Sequence, residues 1–232
     1  MAMGTTITIE PGALYRLMTW LSPAYPTGAF SYSHGLEYAV EAGLVGNAAE
    51  LSAWLATVIR TGTGWIDSLL LAESWRAAAT GDQPRLAEAA ILGAAWRGTA
   101  EMALESEAQG RAFLVTTRAA WPHPLLDGLA AEGVVVLPVA VGAATGAAAI
   151  ALAPSILAYL QSFSSNLVSA ALRLLPLGQT DGQRIIADLA PVILETGRRA
   201  LAAKIEEAGS AAPLIDWCSM RHETQYTRLF RS

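Results

Sequence analysis

Apolar residues recur along most of the chain at helical spacing. Leu14, Leu17, Met18 and Leu21 fall at i, i+3, i+4 and i+7, and Leu51, Trp54, Leu55, Val58 and Ile59 repeat the pattern. Ile185, Ile186, Leu189, Val192 and Ile193 do so again further on. Val134–Leu137 is the one strand-like run, too short to build a sheet. Breakers divide the helical segments. Ser22–Gly28 holds Pro23, Pro26 and Gly28, and further stops lie at Gly43, Gly62, Gly64, Gly81–Pro84, Trp121–Pro124, Pro138, Pro154 and Leu175–Gly178. Thr180-Asp181 reads as the N-terminal cap of the helix that follows. With no Ser/Gly linker, no compositional break and no fixed-period repeat, the pattern predicts an all-α fold. One globular domain over residues 1–232, of roughly eight to ten helices, is expected.

Composition narrows the class. Of 232 residues, 53% are hydrophobic and 15% charged, against typical values of about 45–50% and 25%, which excludes intrinsic disorder. A net charge of −5, with 15 Lys and Arg in no basic run, argues against nucleic-acid binding. One cysteine, Cys218, leaves no intramolecular disulfide. The N-terminal MAMGTTITIEPG lacks the basic and continuously apolar parts of a secretion signal, so a cytoplasmic location is expected. Residues 133–172 carry no Asp, Glu, Lys or Arg, but they are rich in Ala and Gly and are broken by Pro138 and Pro154. They are expected to form a buried helical core or an oligomer seam rather than a membrane span.

Catalytic chemistry is hard to place. No P-loop occurs around the single lysine, Lys204, and there is no GxSxG or HExxH. Ser33, His34 and Glu37 suggest a triad by type, but neighbours on a helix point apart, and His34 reads as a surface or contact residue. The pairs Glu37/Glu41, Glu101/Glu105 and Glu105/Glu107 read as solvated helix faces. Cys218 and His222, spaced i, i+4 with Glu223 beside them, are the one pair with metal-ligand character. Two ligands do not close a site unless a two-fold axis supplies the rest, so no metal site and no cofactor is expected.

The last thirteen residues, 220–232, interleave Tyr226, Leu229 and Phe230 with Arg221, Arg228 and Arg231. Aromatic and Arg side chains are the usual hot spots of interfaces, so this tail reads as a docking element, or as a segment folded back on its own domain. Met220-Arg-His-Glu-Thr-Gln-Tyr-Thr-Arg-Leu-Phe-Arg-Ser232 resembles the terminal segment of the urease accessory UreF family. Leu21–Glu37 is similar to that family's SPxxPxGxFxxSxGLE segment, and Phe163–Arg173 with Pro176–Gln183 resembles a third block. Pro138–Gly142 looks like its PVxxG element, with Val136 and Leu137 where the family often has His and an aromatic.

The resemblance implies a non-catalytic, all-helical homodimer that binds the accessory protein UreD (UreH in some species) and recruits the GTPase UreG. The assembly acts on apo-urease so that nickel enters its active site. Tyr32, Ser33, His34, Glu37, Arg221, His222, Glu223, Tyr226, Arg228, Leu229, Phe230 and Arg231 are then expected to form or support partner surface, Tyr32 and Arg228 above all. The competing expectation is a dimer that itself binds or conducts nickel through Cys218 and His222.

Overall fold

The computed structural model describes residues 9–232. The N-terminal stretch read as lacking a secretion signal lies mostly outside the described residues. Among them the chain is all-helical, with ten helices of eight residues or more and one of six. In order these are α1 (Pro11–Trp20), α2 (Leu36–Glu41), α3 (Ala48–Thr61), α4 (Thr63–Thr80), α5 (Gln83–Ala95) and α6 (Ala100–Ala120). Then follow α7 (Pro124–Ala131), α8 (Leu137–Ala147), α9 (Leu152–Leu174), α10 (Gln179–Ala202) and α11 (Pro213–His222). Many starts carry their own stop for the first free N–H groups. Asn47, Asp82 and Thr99 accept from Glu50, Arg85 and Met102 N–H, and proline opens α1, α7 and α11. Before α10 the cap differs from the one expected at Thr180-Asp181. The helix already starts at Gln179, and the Asp181 carboxylate reaches back to Gly178 N–H at 3.1 Å.

The core is built around α8. Every residue from Pro138 to Gly146 is buried, and α8 lies against α4, itself buried from Gly64 to Ala72. Small residues make that contact possible. A Cβ on Gly142 would lie 2.4 Å from the Leu71 carbonyl oxygen, and one on Gly146 2.6 Å from that of Trp75. Helices α6 and α9 pack on α8, and α3 and α10 complete the bundle around α4 and α9. The α8 part of the uncharged middle is therefore buried within this one chain and is not available as an oligomer seam, whereas Gln161 and Ser169 of α9 are exposed. Val134–Leu137 forms no strand. Val135 and Val136 run extended and buried into α8. No helix among the described residues is long and apolar enough to cross a membrane.

The apolar stripe expected on α1 is only half used. Leu17 and Trp20 are buried, whereas Leu14, Tyr15 and Met18 face outward. A buried ion pair sits inside the bundle: Asp67 on α4 accepts from Arg97 at 2.9 Å and from the Tyr159 hydroxyl at 2.6 Å. Burial, and then the Asp67 charge, push the Tyr159 hydroxyl pKa far up, so it stays a donor.

Candidate interaction site

Three segments far apart in sequence meet at one end of the bundle. They are the loop and turn from Ser22 to Gly35 leading into α2, the first half of α6, and α11 with the ten residues after it. Gly35 makes the approach possible. Its φ of +75° lies in the left-handed region, and a Cβ there would sit 2.8 Å from the Ser219 backbone nitrogen of α11. His34, at φ +58°, shares the turn, so it precedes the helix and is buried rather than lying on a helix face. Thr99, which caps α6, also bonds the Ser219 hydroxyl at 2.7 Å and ties α11 to α6.

The carboxylates read as solvated faces are the centre of this site. Glu37, Glu101 and Glu105 are all buried. Glu37 accepts from Leu229 N–H at 2.6 Å and Phe230 N–H at 2.9 Å, and its Oε2 lies 2.9 Å from His222 Nε2. Glu101 Oε2 lies 2.7 Å from His222 Nδ1, and Glu101 Oε1 accepts from Arg228 at 2.8 Å. Glu105 accepts from the Ser232 hydroxyl at 2.7 Å and faces His34 Nδ1 at 3.3 Å, while His34 Nε2 lies 2.8 Å from the Thr63 hydroxyl. The Ser232 carbonyl accepts from Ser33 N–H at 2.9 Å, and Arg231 N–H donates to the Ser31 carbonyl at 2.8 Å. A neutral imidazole has one N–H, yet both nitrogens of His222 face carboxylate oxygens. Each ring nitrogen of His222 is thus matched to a carboxylate oxygen from a different helix. Burial raises the Glu101 pKa, opposed by the hydrogen bond to His222 and by the His222 and Arg228 charges.

This arrangement divides the expected partner residues in two. Tyr32, Ser33, His34, Glu37, His222 and Phe230 are buried and clamp the C-terminal segment from within. Arg228 is half spent on Glu101, and Tyr32 lies under Arg231, whose guanidinium is 5.7 Å from the ring centroid. Arg221, Glu223, Tyr226, Arg228, Leu229 and Arg231 are exposed on the outside, Tyr226 wholly so. Trp217 and Met220 of α11 extend that outer surface. Of the two readings of the tail, the folded-back one describes its backbone, and the docking one is left to its outward side chains.

The Cys218–His222 pair is poorly suited to a metal. Burial pushes the Cys218 thiol up to about 11, so the thiolate a metal needs is disfavoured, and His222 has both nitrogens engaged by carboxylates. Among the described residues no group of three or more His, Cys, Asp or Glu side chains is placed to hold a metal ion. What sequence reasoning missed was the role of Glu101 and Glu105. A signal existed: Glu101, Glu105 and Gln109 lie at i, i+4 and i+8, beside the buried Met102 and Phe113 on the inward face of α6.

Among the described residues the chain is an all-helical bundle whose buried carboxylates hold its C-terminal segment in place. Comparison with known proteins makes the class specific. The UreF family model matches residues 45–190, and the chain belongs to the UreF family of urease accessory proteins. It is 54% identical over 229 residues to the urease accessory protein UreF of Granulibacter bethesdensis, covering 98% of this chain and 97% of that one. It is 50% identical to UreF of Bradyrhizobium sp. strain BTAi1 over 225 residues, covering 97% and 94%. With UreF of Rhodopseudomonas palustris strain HaA2 it shares 49% identity over 232 residues, 97% of each chain. Relatives named as accessory proteins fit a non-catalytic role.

Proposed function

We propose that this chain is a homodimeric, cytoplasmic adaptor of urease maturation that binds a UreD/UreH-type partner and the GTPase UreG and couples GTP hydrolysis to nickel insertion into apo-urease. The observation that carries the reading is the C-terminal segment. Its backbone and its inward side chains are held by three buried carboxylates, and this fixes Tyr226, Leu229, Arg221 and Arg231 outward in a set arrangement. Preorganising exposed aromatic, aliphatic and Arg groups lowers the ordering cost of an interface. The α1 face of Leu14, Tyr15 and Met18, exposed among the described residues, offers apolar surface for self-association.

The test is co-expression with a UreD-type protein, followed by purification and light scattering. Tyr226→Ala with Leu229→Ala removes only outward groups, so the variant should stay folded and lose the complex. A variant that binds as well as wild type would move the interface elsewhere.

A further inference from the structure

Beside the clamped terminus, between the Leu21–Phe30 stretch and α9, lies a cavity of about 230 Å³. Its walls are largely apolar, with Trp20, Phe113, Leu137 and Phe163 among them. The Trp20 indole N–H is buried and has no acceptor among the described residues, which leaves an unused donor in the wall. Phe30 and Ser169 form part of the lining, and Phe30 is 69% exposed, so the cavity has an apolar lip at the surface.

Arg173 borders that lip, and Arg231 stands by Ser31 and Tyr32, the two residues that follow Phe30. Arg173 donates to the Phe30 carbonyl at 2.7 Å and to the Ser169 carbonyl at 3.4 Å, and its guanidinium lies 4.2 Å from the Phe230 ring centroid. Arg231, next to Phe230, is joined through its backbone to Ser31 and rests on the Tyr32 ring. Neither has a carboxylate within ion-pair distance among the described residues, as is also true of Arg16, Arg60, Arg111, Arg199 and Arg221, whereas the other seven arginines are paired. Burial lowers the Arg173 pKa, opposed by the charge of Glu37. Two cations without an ion pair thus stand near the place where an apolar cavity opens, in a chain of net charge −5.

We propose that this mouth is a docking surface for an acidic, apolar-centred segment of a partner protein, one large apolar side chain entering the cavity and flanking carboxylates meeting Arg173 and Arg231. The proposal rests on the adaptor reading in taking the occupant to be a protein. The cavity is smaller than the roughly 300–1,000 Å³ of pockets that enclose drug-sized ligands, and suits a side chain better. Planar guanidinium groups held against aromatic rings are set to receive carboxylates in a fixed orientation.

The test uses full-length protein and a fluorescein-labelled eight-residue probe with a Leu-Phe centre between pairs of glutamates, read by anisotropy. Its control carries lysines in place of the glutamates. The acidic probe should bind at least about tenfold tighter than the basic one, and Arg173→Gln with Arg231→Gln should erase the difference. Because Arg173 also holds the Phe30 carbonyl, Arg231→Gln alone and Ser169→Trp, which blocks the mouth with both arginines kept, serve as second variants. Each should weaken the acidic probe while the circular dichroism melt stays unchanged. Equal binding of both probes, or binding indifferent to these variants, would overturn the proposal. So would 3-phenylpropionate binding as tightly as the peptide, since the site would then serve small carboxylates. Assembly with the UreD-type protein is scored separately: probe binding without assembly sustains this surface and sinks the adaptor reading instead.

Discussion

The seam between α4 and α8 and the clamp on the C-terminal segment are both buried, and they are held by opposite means. The seam is made largely of small and aliphatic residues, with Gly142 and Gly146 letting two backbones touch. Its attraction is non-directional, so it depends on volume and tolerates exchange of one apolar residue for another of its size. The clamp is a lattice of charges in which each member is needed by another: Glu37 and Glu101 share His222, and Glu101 also takes Arg228. A half-satisfied lattice of this kind is worse than none, because a buried charge without its partner keeps its desolvation cost. The seam therefore stabilises through filled volume, and the clamp through paired charge that also gives the terminus one position.

The contrast can be broken from either side. Removing the clamp's centre should have the largest effect. His222→Ala leaves Glu37 and Glu101 facing each other's charge across a void and is expected to cost about 3–5 kcal/mol, read from the shift in urea midpoint. Truncation before Met220 should destabilise the whole fold rather than only detach a tail, because Glu37, Glu101 and Glu105 all lose donors. A truncated chain as stable as the full one would contradict the clamp.

The next effect is one of pH. The Cys218 thiol has a folded pKa raised from 9.0 to about 11, so the folded state keeps a proton that the unfolded state has lost. Its contribution is full below pH 9 and disappears as pH rises toward 11, by up to about 2–3 kcal/mol for a shift of this size. Cys218→Ala should flatten that decline in a series of urea titrations between pH 8 and 11, and wild-type Cys218 should be slow to react with thiol reagents at pH 8. On the seam, Gly142→Ala forces a methyl against the Leu71 carbonyl and should cost about 1–3 kcal/mol, with the thermal midpoint as readout. The smallest effect belongs to Tyr226→Ala, fully exposed, expected within about 0.5 kcal/mol of wild type in the same melt.

Helices were legible because their cause is local. The stripe in α3, Leu51, Trp54, Leu55, Val58 and Ile59, is buried throughout as its spacing implies. The α1 stripe misled because Leu14 and Met18 satisfy the same spacing as Leu17 yet have no helix packed over them among the described residues. At the site, the residues that matter were visible by type and place, but not by burial. His34, Glu37, Glu101 and Glu105 were read as surface because exposed charges are the common case, and nothing within a turn of each shows what covers it.

Sequence alone determined the helical class, the absence of nucleotide-binding and hydrolytic motifs, and, through three ordered segments, the family. Those depend on periodicity and on short strings of residues. Only the tertiary structure decided that the chain's polar centre is a clamp. His222 finds Glu101 across 121 positions and Glu37 across 185, and Ser33 finds the last residue of the chain across 199. A carboxylate's charge is cheap in water and costly in the interior, and which of the two it meets is set by segments that the local pattern does not contain.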